Sequence, residues 1–262
     1  MKIALYSDLH LECGGWEPPA TAQEADVIVL AGDISAKAHG LAWAGRKFPR
    51  QPIIYVAGNH EFYDYHLHLL DEMRKPAWAQ MDIHFLENRT VELDGVRFLG
   101  CTLWSGFDLY GAGTQQALAM TAAQRCINDY WLIRGHNGKP LEPGKTLSMH
   151  RKSVAWLERE LAKSFDGRTV VVTHFAPHRG CVAPWHAGSN VTPYFVTDLA
   201  WLMAKHRIDV WCYGHTHTNA DFITESGCRV VSNQLGYPGE RIRTAGGIRY
   251  DTGFRNDLLI EV

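Results

Sequence analysis

No apolar run in this chain approaches the ~20 residues that a membrane-spanning helix needs. Asp8 interrupts the first apolar stretch, so no signal peptide is visible at the start and a membrane partner is not expected. None of the six cysteines, Cys13, Cys101, Cys126, Cys181, Cys212 and Cys228, forms a C-x-x-C pair. That spacing excludes thiolate metal knuckles and thioredoxin-like chemistry, and the thiols read as reduced, mostly buried residues of a cytoplasmic protein. An excess of one charge is missing too. With 26 Lys and Arg against 28 Asp and Glu, the chain carries a formal charge of -2 and shows no basic footprint for long nucleic acid. There is no G-x-S-x-G, and no Cys is followed six residues later by Arg, so routes through a serine or cysteine nucleophile lack their parts. Gly144-Lys145-Thr146 resembles a phosphate loop, but the upstream glycine falls at Gly138, one position too early. Repeats, low-complexity tracts and linker-like segments are absent as well. The 262 residues therefore read as one domain.

What the chain does have is a set of short apolar runs that end on polar side chains. Ile3 to Tyr6 ends at Ser7-Asp8-Leu9-His10, and Asp26 to Ala31 ends at Gly32-Asp33. Ile53 to Val56 is β-branched and aromatic, suits a buried strand, and ends at Ala57-Gly58-Asn59-His60-Glu61. Thr169 to Thr173 ends at His174, and Asp209 to Tyr213 ends at Gly214-His215-Thr216-His217. A helical pattern over Gly40 to Phe48 separates the second run from the third, which argues for βαβ units and a parallel sheet in an α/β chain.

Further elements follow from pattern. Asp64 is a candidate cap for a helix with Leu67, Leu70 and Met73 on its apolar face. Ile83 to Leu86 reads as a strand, and Asp94-Gly95 joins Thr90 to Leu93 and Val96 to Leu99 in a hairpin. Residues 104 to 145, rich in aromatics with a helix expected near 114 to 134, read as an elaboration or cap over the rim. Leu147, Val154, Leu157 and Leu161 mark an amphipathic helix. Tyr194 to His206 reads as a helix, and three short strands follow near Ala220 to Ile223, Arg229 to Ser232 and Leu258 to Val262.

Taken singly, Asp-x-His, Gly-Asp or Gly-His-Thr-His is an ordinary turn. Five such endings in order, each after a buried strand, gather Asp8, His10, Asp33, Asn59, His60, His174, His215 and His217 on one rim. Two metal ions roughly 3.5–4 Å apart require a bridging carboxylate and a mixed nitrogen and oxygen shell, which this set can supply. From spacing alone, His215 and His217 could serve the two ions separately.

The motifs D-L-H at 8–10, G-D at 32–33, G-N-H-E at 58–61, His174 and G-H-T-H at 214–217 resemble the calcineurin-like metallophosphoesterase family. The resemblance implies a four-layer αββα fold of two mixed β-sheets flanked by helices. It implies Asp8, His10 and His217 around a first ion, Asn59, His174 and His215 around a second, Asp33 between them, and His60 as the catalytic histidine. It further implies hydrolysis of phosphate esters by a metal-bridging hydroxide, with His60 as general acid. Mixed imidazole and carboxylate ligands suit Mn, Fe or Zn. The protein phosphatases of the family carry an acidic residue three positions after the Gly-Asp aspartate, and an Arg beyond it. Here Ala36 and Lys37 stand there. This departure favours a phosphodiesterase of small-molecule phosphate esters over a phosphomonoesterase or protein phosphatase. It also leaves no visible residue to orient His60. A nuclease or a non-catalytic scaffold on the same fold are the other readings. His178, Asn233 and Tyr237 are candidates to face the substrate, the last two because Asn233 with Gly236-Tyr237-Pro238 resembles a segment after the last metal motif in bacterial members. Each is otherwise a turn residue or a packed aromatic. Arg179, Arg241 and Arg243 could meet a phosphate or face solvent, and Trp104 could stack on a base or cover core.

Overall fold

The computed structural model describes residues 1–241 and 252–262. In chain order the first elements are β1 (Lys2–Tyr6), β2 (Val27–Ala31), α1 (His39–Lys47), β3 (Ile53–Val56), β4 (Tyr65–His66), α2 (Leu69–Met73), α3 (Pro76–Ala79), β5 (Ile83–Phe85), β6 (Arg89–Leu93) and β7 (Val96–Cys101). Then come α4 (Thr114–Cys126), α5 (Asp129–Leu132), β8 (Ile133–Arg134), α6 (Pro143–Leu161), β9 (Arg168–Thr173), α7 (Thr192–Phe195), α8 (Ala200–Lys205), β10 (Val210–Tyr213), β11 (Asp221–Ile223), β12 (Arg229–Ser232) and β13 (Leu259–Glu261).

Two mixed sheets dominate. One has the order β13-β1-β2-β3-β5, with β1, β2, β3 and β5 parallel and β13 antiparallel to β1. The other has the order β11-β12-β10-β9-β7-β6, parallel through β12, β10, β9 and β7 with an antiparallel strand on each edge. Their central strands are apolar along their whole length because both faces are buried, and alternation then sorts residues by size. Ile3, Leu5, Val27, Val29, Ile54 and Val56 meet Phe98, Val170, Val172, Val210, Cys212 and Val231 in one cluster between the sheets. The alternate positions, Tyr6, Tyr55, Trp211 and Tyr213 among them, belong to the second cluster with helix residues such as Leu41, Trp156, Leu157 and Leu202. Compact aliphatics thus fill the narrow inter-sheet layer, and aromatics span the wider gap to the helices. The result is the expected four layers. The hairpin turn also follows its sequence: Asp94 and Gly95 have φ 45° and 77°, as a primed two-residue turn between β6 and β7 requires.

Several helices are shorter than their patterns suggest. The helix expected over 114 to 134 ends at Cys126, where Ile127 turns extended, and the next residues carry Asp129 inward and pair β8 with β4. The helix expected over Tyr194 to His206 is interrupted between α7 and α8. There Val196 bridges Ala176, the Thr197 N–H donates to Ala176 O (3.0 Å) and the Leu199 N–H to Pro177 O (2.8 Å). The β-branched Val196-Thr197 pair favours that extended path. Asp64 caps no helix. It has φ 53°, donates its N–H to Leu132 O and leads into β4, so α2 begins only at Leu69. In α6 Leu157 and Leu161 are buried while Leu147 and Val154 are half-buried, because Thr146, His150, Ser153 and Trp156 take the inner stripe.

Candidate metal centre

The parallel strands of both sheets deliver their polar endings to one rim. β1 brings Asp8 and His10, β2 brings Asp33, and β3 brings Asn59 and His60 from the first sheet. β9 brings His174, and β10 brings His215 and His217 from the second. To turn these side chains inward the backbone takes left-handed φ at Asp8 (52°), His10 (45°), Asp33 (53°), His215 (75°) and His217 (49°). Such conformations cost on the order of 1 kcal/mol or more each, and they concentrate where function requires them. The glycines of the motifs make room for the same side chains. A Cβ on Gly58 would fall 2.1 Å from Asp33 Oδ1 and 2.7 Å from His174 Nε2, and one on Gly32 would fall 2.4 Å from His174 Nδ1.

Three clusters result, each with its possible ligand atoms within 4.8 Å of one another: Asp8, His10 and His217; His10, Asp33 and His60; Asp33, His174 and His215. Asp33 belongs to two of them. Its Oδ2 lies 3.4 Å from His174 Nε2 and 3.9 Å from His10 Nε2. His217 Nε2 is 3.3 Å from Asp8 Oδ1 and 3.0 Å from His10 Nε2, two imidazole nitrogens aimed at one point. Asn59 Oδ1 joins His174 Nε2 at 3.1 Å. His215 Nε2 is buried and has no hydrogen-bond partner among the described residues, an expensive arrangement unless a cation completes it. This donor set fits two transition-metal ions. His60 differs in that its Nε2 meets Tyr237 Oη at 2.8 Å and not another candidate ligand, while its Nδ1 faces Glu12 Oε1 at 3.3 Å.

Electrostatics point the same way. Burial opposes charge on Asp33, yet His174, His60 and His10 hold its carboxyl well below the usual range, and His217 and His174 do so for Asp8. Burial would also lower His217 and His174, but Asp8 with Glu240 carries the first up to about 10, and Asp33 with Asp8 carries the second up to about 9. Burial, reinforced by His174, keeps His215 neutral. The buried carboxylates thus draw positive charge into the pocket.

A supporting layer orients these groups, and most of it was not foreseen. His174 Nδ1 donates to Ala31 O (2.9 Å), His10 Nδ1 faces Glu12 (3.3 Å) and His217 Nδ1 faces Glu240 (2.7 Å), which leaves each Nε2 for the centre. Glu12 touches both His10 and His60, and so provides the carboxylate missing at Ala36. Its place in Asp8-Leu9-His10-Leu11-Glu12, two residues beyond His10, was the available signal. The buried Glu61 accepts from the N–H groups of Asp33, Ile34 and Gly58 and from Tyr55 Oη, tying the ends of β2 and β3 together. Asp129 accepts from Asn59 Nδ2 (2.8 Å), Tyr63 Oη (3.0 Å) and Tyr194 Oη, and so turns Asn59 Oδ1 toward the centre. Nothing local in its sequence marks that role.

Of the substrate candidates, Tyr237 lines the cleft and stacks on His10 at 4.3 Å. Asn233 does not face the cleft; its amide clamps Leu5 O and Arg255 O, each at 2.8 Å, and its Oδ1 accepts from the Arg255 N–H. His178 accepts from the Gly180 N–H and packs on Phe222, outside the cleft lining. Arg179 is exposed and paired with Asp198. Trp104 is buried between Phe62 and Phe175 as core. Arg243 and the side chain of Arg241 lie outside the described residues. The open cleft over the centre measures about 300 Å³, and among the described residues no Lys or Arg lines it.

Imidazoles and carboxylates collected on the strand ends of a two-sheet sandwich define a metal-dependent hydrolase. The family model for calcineurin-like phosphoesterases matches residues 1–219, and this chain belongs to that family. It is a metal-dependent phosphoester hydrolase. An uncharacterised protein of Acanthamoeba polyphaga mimivirus is 28% identical over 275 residues, with 92% of this chain and 93% of that protein aligned. Phosphopantetheinyl hydrolase from Mycobacterium tuberculosis shares the fold with TM-score 0.71 and 19% identity, over 92% of this chain and 91% of that one. A dimetal phosphatase from Danio rerio shares it with TM-score 0.55 and 14% identity, over 89% and 87%. No helix among the described residues is long and apolar enough to cross a membrane.

Proposed function

We propose that this chain is a two-metal phosphodiesterase of small-molecule phosphate esters in the cytoplasm. The reading rests on a single observation: the clustered ligands open into a cleft that no Lys or Arg lines among the described residues. A phosphomonoester dianion brings a second negative charge that calls for a side-chain cation, whereas a diester carries one charge and makes no such demand. Asp8, His10 and His217 would hold one ion, Asn59, His174 and His215 the other, with Asp33 shared. Manganese, iron and zinc suit these donors. Bound there, two ions supply Lewis acidity for the phosphoryl oxygens and an acidified water as nucleophile.

The chain's own residues do the rest. Glu12 fixes the His60 ring through Nδ1, which presents Nε2 beside Tyr237 to the cleft. Burial would lower the His60 pKa, but Asp33 and Glu12 raise it above its ordinary value, which favours the protonated ring. His60 donates that proton to the leaving oxygen as the P–O bond breaks. A phosphopantetheinyl ester is the first natural diester to assay, because a hydrolase of that group is a fold neighbour.

The test is hydrolysis of bis-4-nitrophenyl phosphate and of 4-nitrophenyl phosphate after reconstitution with Mn²⁺, beside an Asp33→Asn control. Diester turnover that vanishes in the control supports the reading. Faster monoester turnover overturns the diester preference, and no turnover on either by metal-loaded protein favours the scaffold.

A further inference from the structure

Beside the metal cleft lies a second cavity of about 240 Å³, walled by Cys181, Val182, Ala183, Val191, Phe195 and Val196. The two cavities adjoin, since His186, Phe195 and Thr216 line both. Thr216 sits in sequence between two of the candidate ligands, and the Phe195 ring packs 5.0 Å from that of His215. Whatever is held at the metal centre therefore has this cavity next to it.

The lining says what the cavity accepts. Among the described residues, no Lys, Arg, Asp or Glu faces it. Its hydroxyls are already engaged: Thr192 Oγ1 donates to His186 O (2.6 Å), Thr216 Oγ1 to Thr218 O (3.1 Å), and Ser189 Oγ accepts from the Val191 N–H (3.3 Å). Burial pushes the Cys181 thiol up to about 12, so it is a neutral, apolar wall. A charged group placed here would lose its water without an ion partner, and a hydrogen-bonding one would meet only the His186 ring and the Ser189 hydroxyl. An apolar group would gain. For scale, an engineered apolar cavity of about 150 Å³ takes up benzene. The larger volume here suits a substituted ring or a compact branched alkyl chain.

We infer that this cavity is the subsite for one ester arm of the substrate, and that this arm is uncharged and apolar. The inference deepens the proposed phosphodiesterase activity and rests on it. It assigns specificity to residues 181–191, between β9 and α7, which supply most of the lining and none of the candidate metal ligands.

Phosphonates test it, because each carries a single arm on an uncleavable P–C bond. Their dissociation constants on the Mn²⁺-loaded protein are read by calorimetry, and turnover of bis-4-nitrophenyl phosphate runs in parallel. Phenylphosphonate should bind at least roughly tenfold tighter than methylphosphonate, the lower end of what a hydrophobic pocket yields for one methylene. Phosphonoacetate, whose arm ends in a carboxylate, should show no such gain. Ala183→Leu fills the cavity and should bring the phenyl-to-methyl ratio to within about twofold. Val191→Ala enlarges it and should shift preference toward naphthylphosphonate, so the two variants move in opposite directions and misfolding of one leaves the other decisive. Equal affinities for methyl and phenyl arms, or a ratio unmoved by both variants, overturn the subsite while turnover keeps the phosphodiesterase reading. Loss of turnover in the unaltered protein fails that reading instead.

Discussion

Asp129→Asn is the substitution that best separates a supporting role from a merely buried one. Asp129 is fully buried and accepts three hydrogen bonds, from Asn59, Tyr63 and Tyr194. Hydrogen bonds to a charged group contribute about 1.5–3 kcal/mol each, and an asparagine in its place offers one acceptor and one donor to three donors. One or two bonds are lost, so urea denaturation of metal-free protein should show a destabilisation of about 2–4 kcal/mol. The centre should suffer separately. The amide of Asn59 loses the partner that turns its oxygen toward His174, and supporting partners of this kind change metal affinity by roughly 10–100-fold. Metal affinity is measured by competition with a chromophoric chelator at fixed pH. The double variant Asn59→Asp with Asp129→Asn exchanges amide and carboxylate and restores a complementary pair. Its affinity should exceed the sum of the single effects by at least about 1 kcal/mol. Wild-type metal affinity in Asp129→Asn, or strict additivity in the cycle, refutes the orienting role.

Three further outcomes are expected. His60→Ala should lower kcat by roughly 10²–10⁴ on diesters with alkoxide leaving groups and far less with 4-nitrophenolate, which needs no proton; Glu12→Gln should show the same dependence at smaller amplitude, and equal losses on both leaving groups would remove the acid role. Chelation should lower the melting temperature by roughly 5–10 °C for each ion removed, since one ion at a hundredfold its Kd adds about 2.7 kcal/mol to a chain of this size, and calorimetric scans with and without EDTA read it. His150, buried with its Nδ1 on Leu103 O, has its pKa held below the ordinary value by burial. The folded chain then takes up that proton later than the unfolded chain. The stability it contributes is complete above the unfolded pKa of about 6.5 and drains as pH falls below it, at no more than about 1.4 kcal/mol per pH unit. His150→Gln should flatten that limb in urea titrations between pH 7 and 5, and an unchanged slope would contradict it.

Strand endings were legible because the buried runs are long enough to stand out, and each is followed within three residues by a ligand type. Helix lengths were less so. Periodicity sees Tyr194 to His206 as continuous, whereas Ala176 and Pro177 offer carbonyls that Thr197 and Leu199 take. Asn59 was legible through its motif, but Asp129, which orients it, comes from 70 residues away and carries no local sign. Glu12 lay in plain view at alternate spacing after Asp8 and His10. The family's phosphatases keep their orienting carboxylate beyond Asp33, where this chain has Ala36. Asn233 reads as a substrate residue through the resemblance of its segment with Gly236-Tyr237-Pro238, yet two backbone carbonyls take its amide.

The centre also divides the chain. Asp8, His10, Asp33, Asn59 and His60 precede the exposed stretch at 110–115, and His174, His215 and His217 follow it. Both large sheets likewise take strands from each side of that stretch. A protease cut there would give two fragments that divide the Asp8, His10 and His217 cluster and the Asp33, His174 and His215 cluster between them, interleaved by strand pairing and joined by whatever cations they share. Ions so placed act as a cross-link between distant parts of one polypeptide, closing a loop longer than most disulfides do. The two halves, expressed separately, become a split enzyme whose reassembly is switched by metal supply.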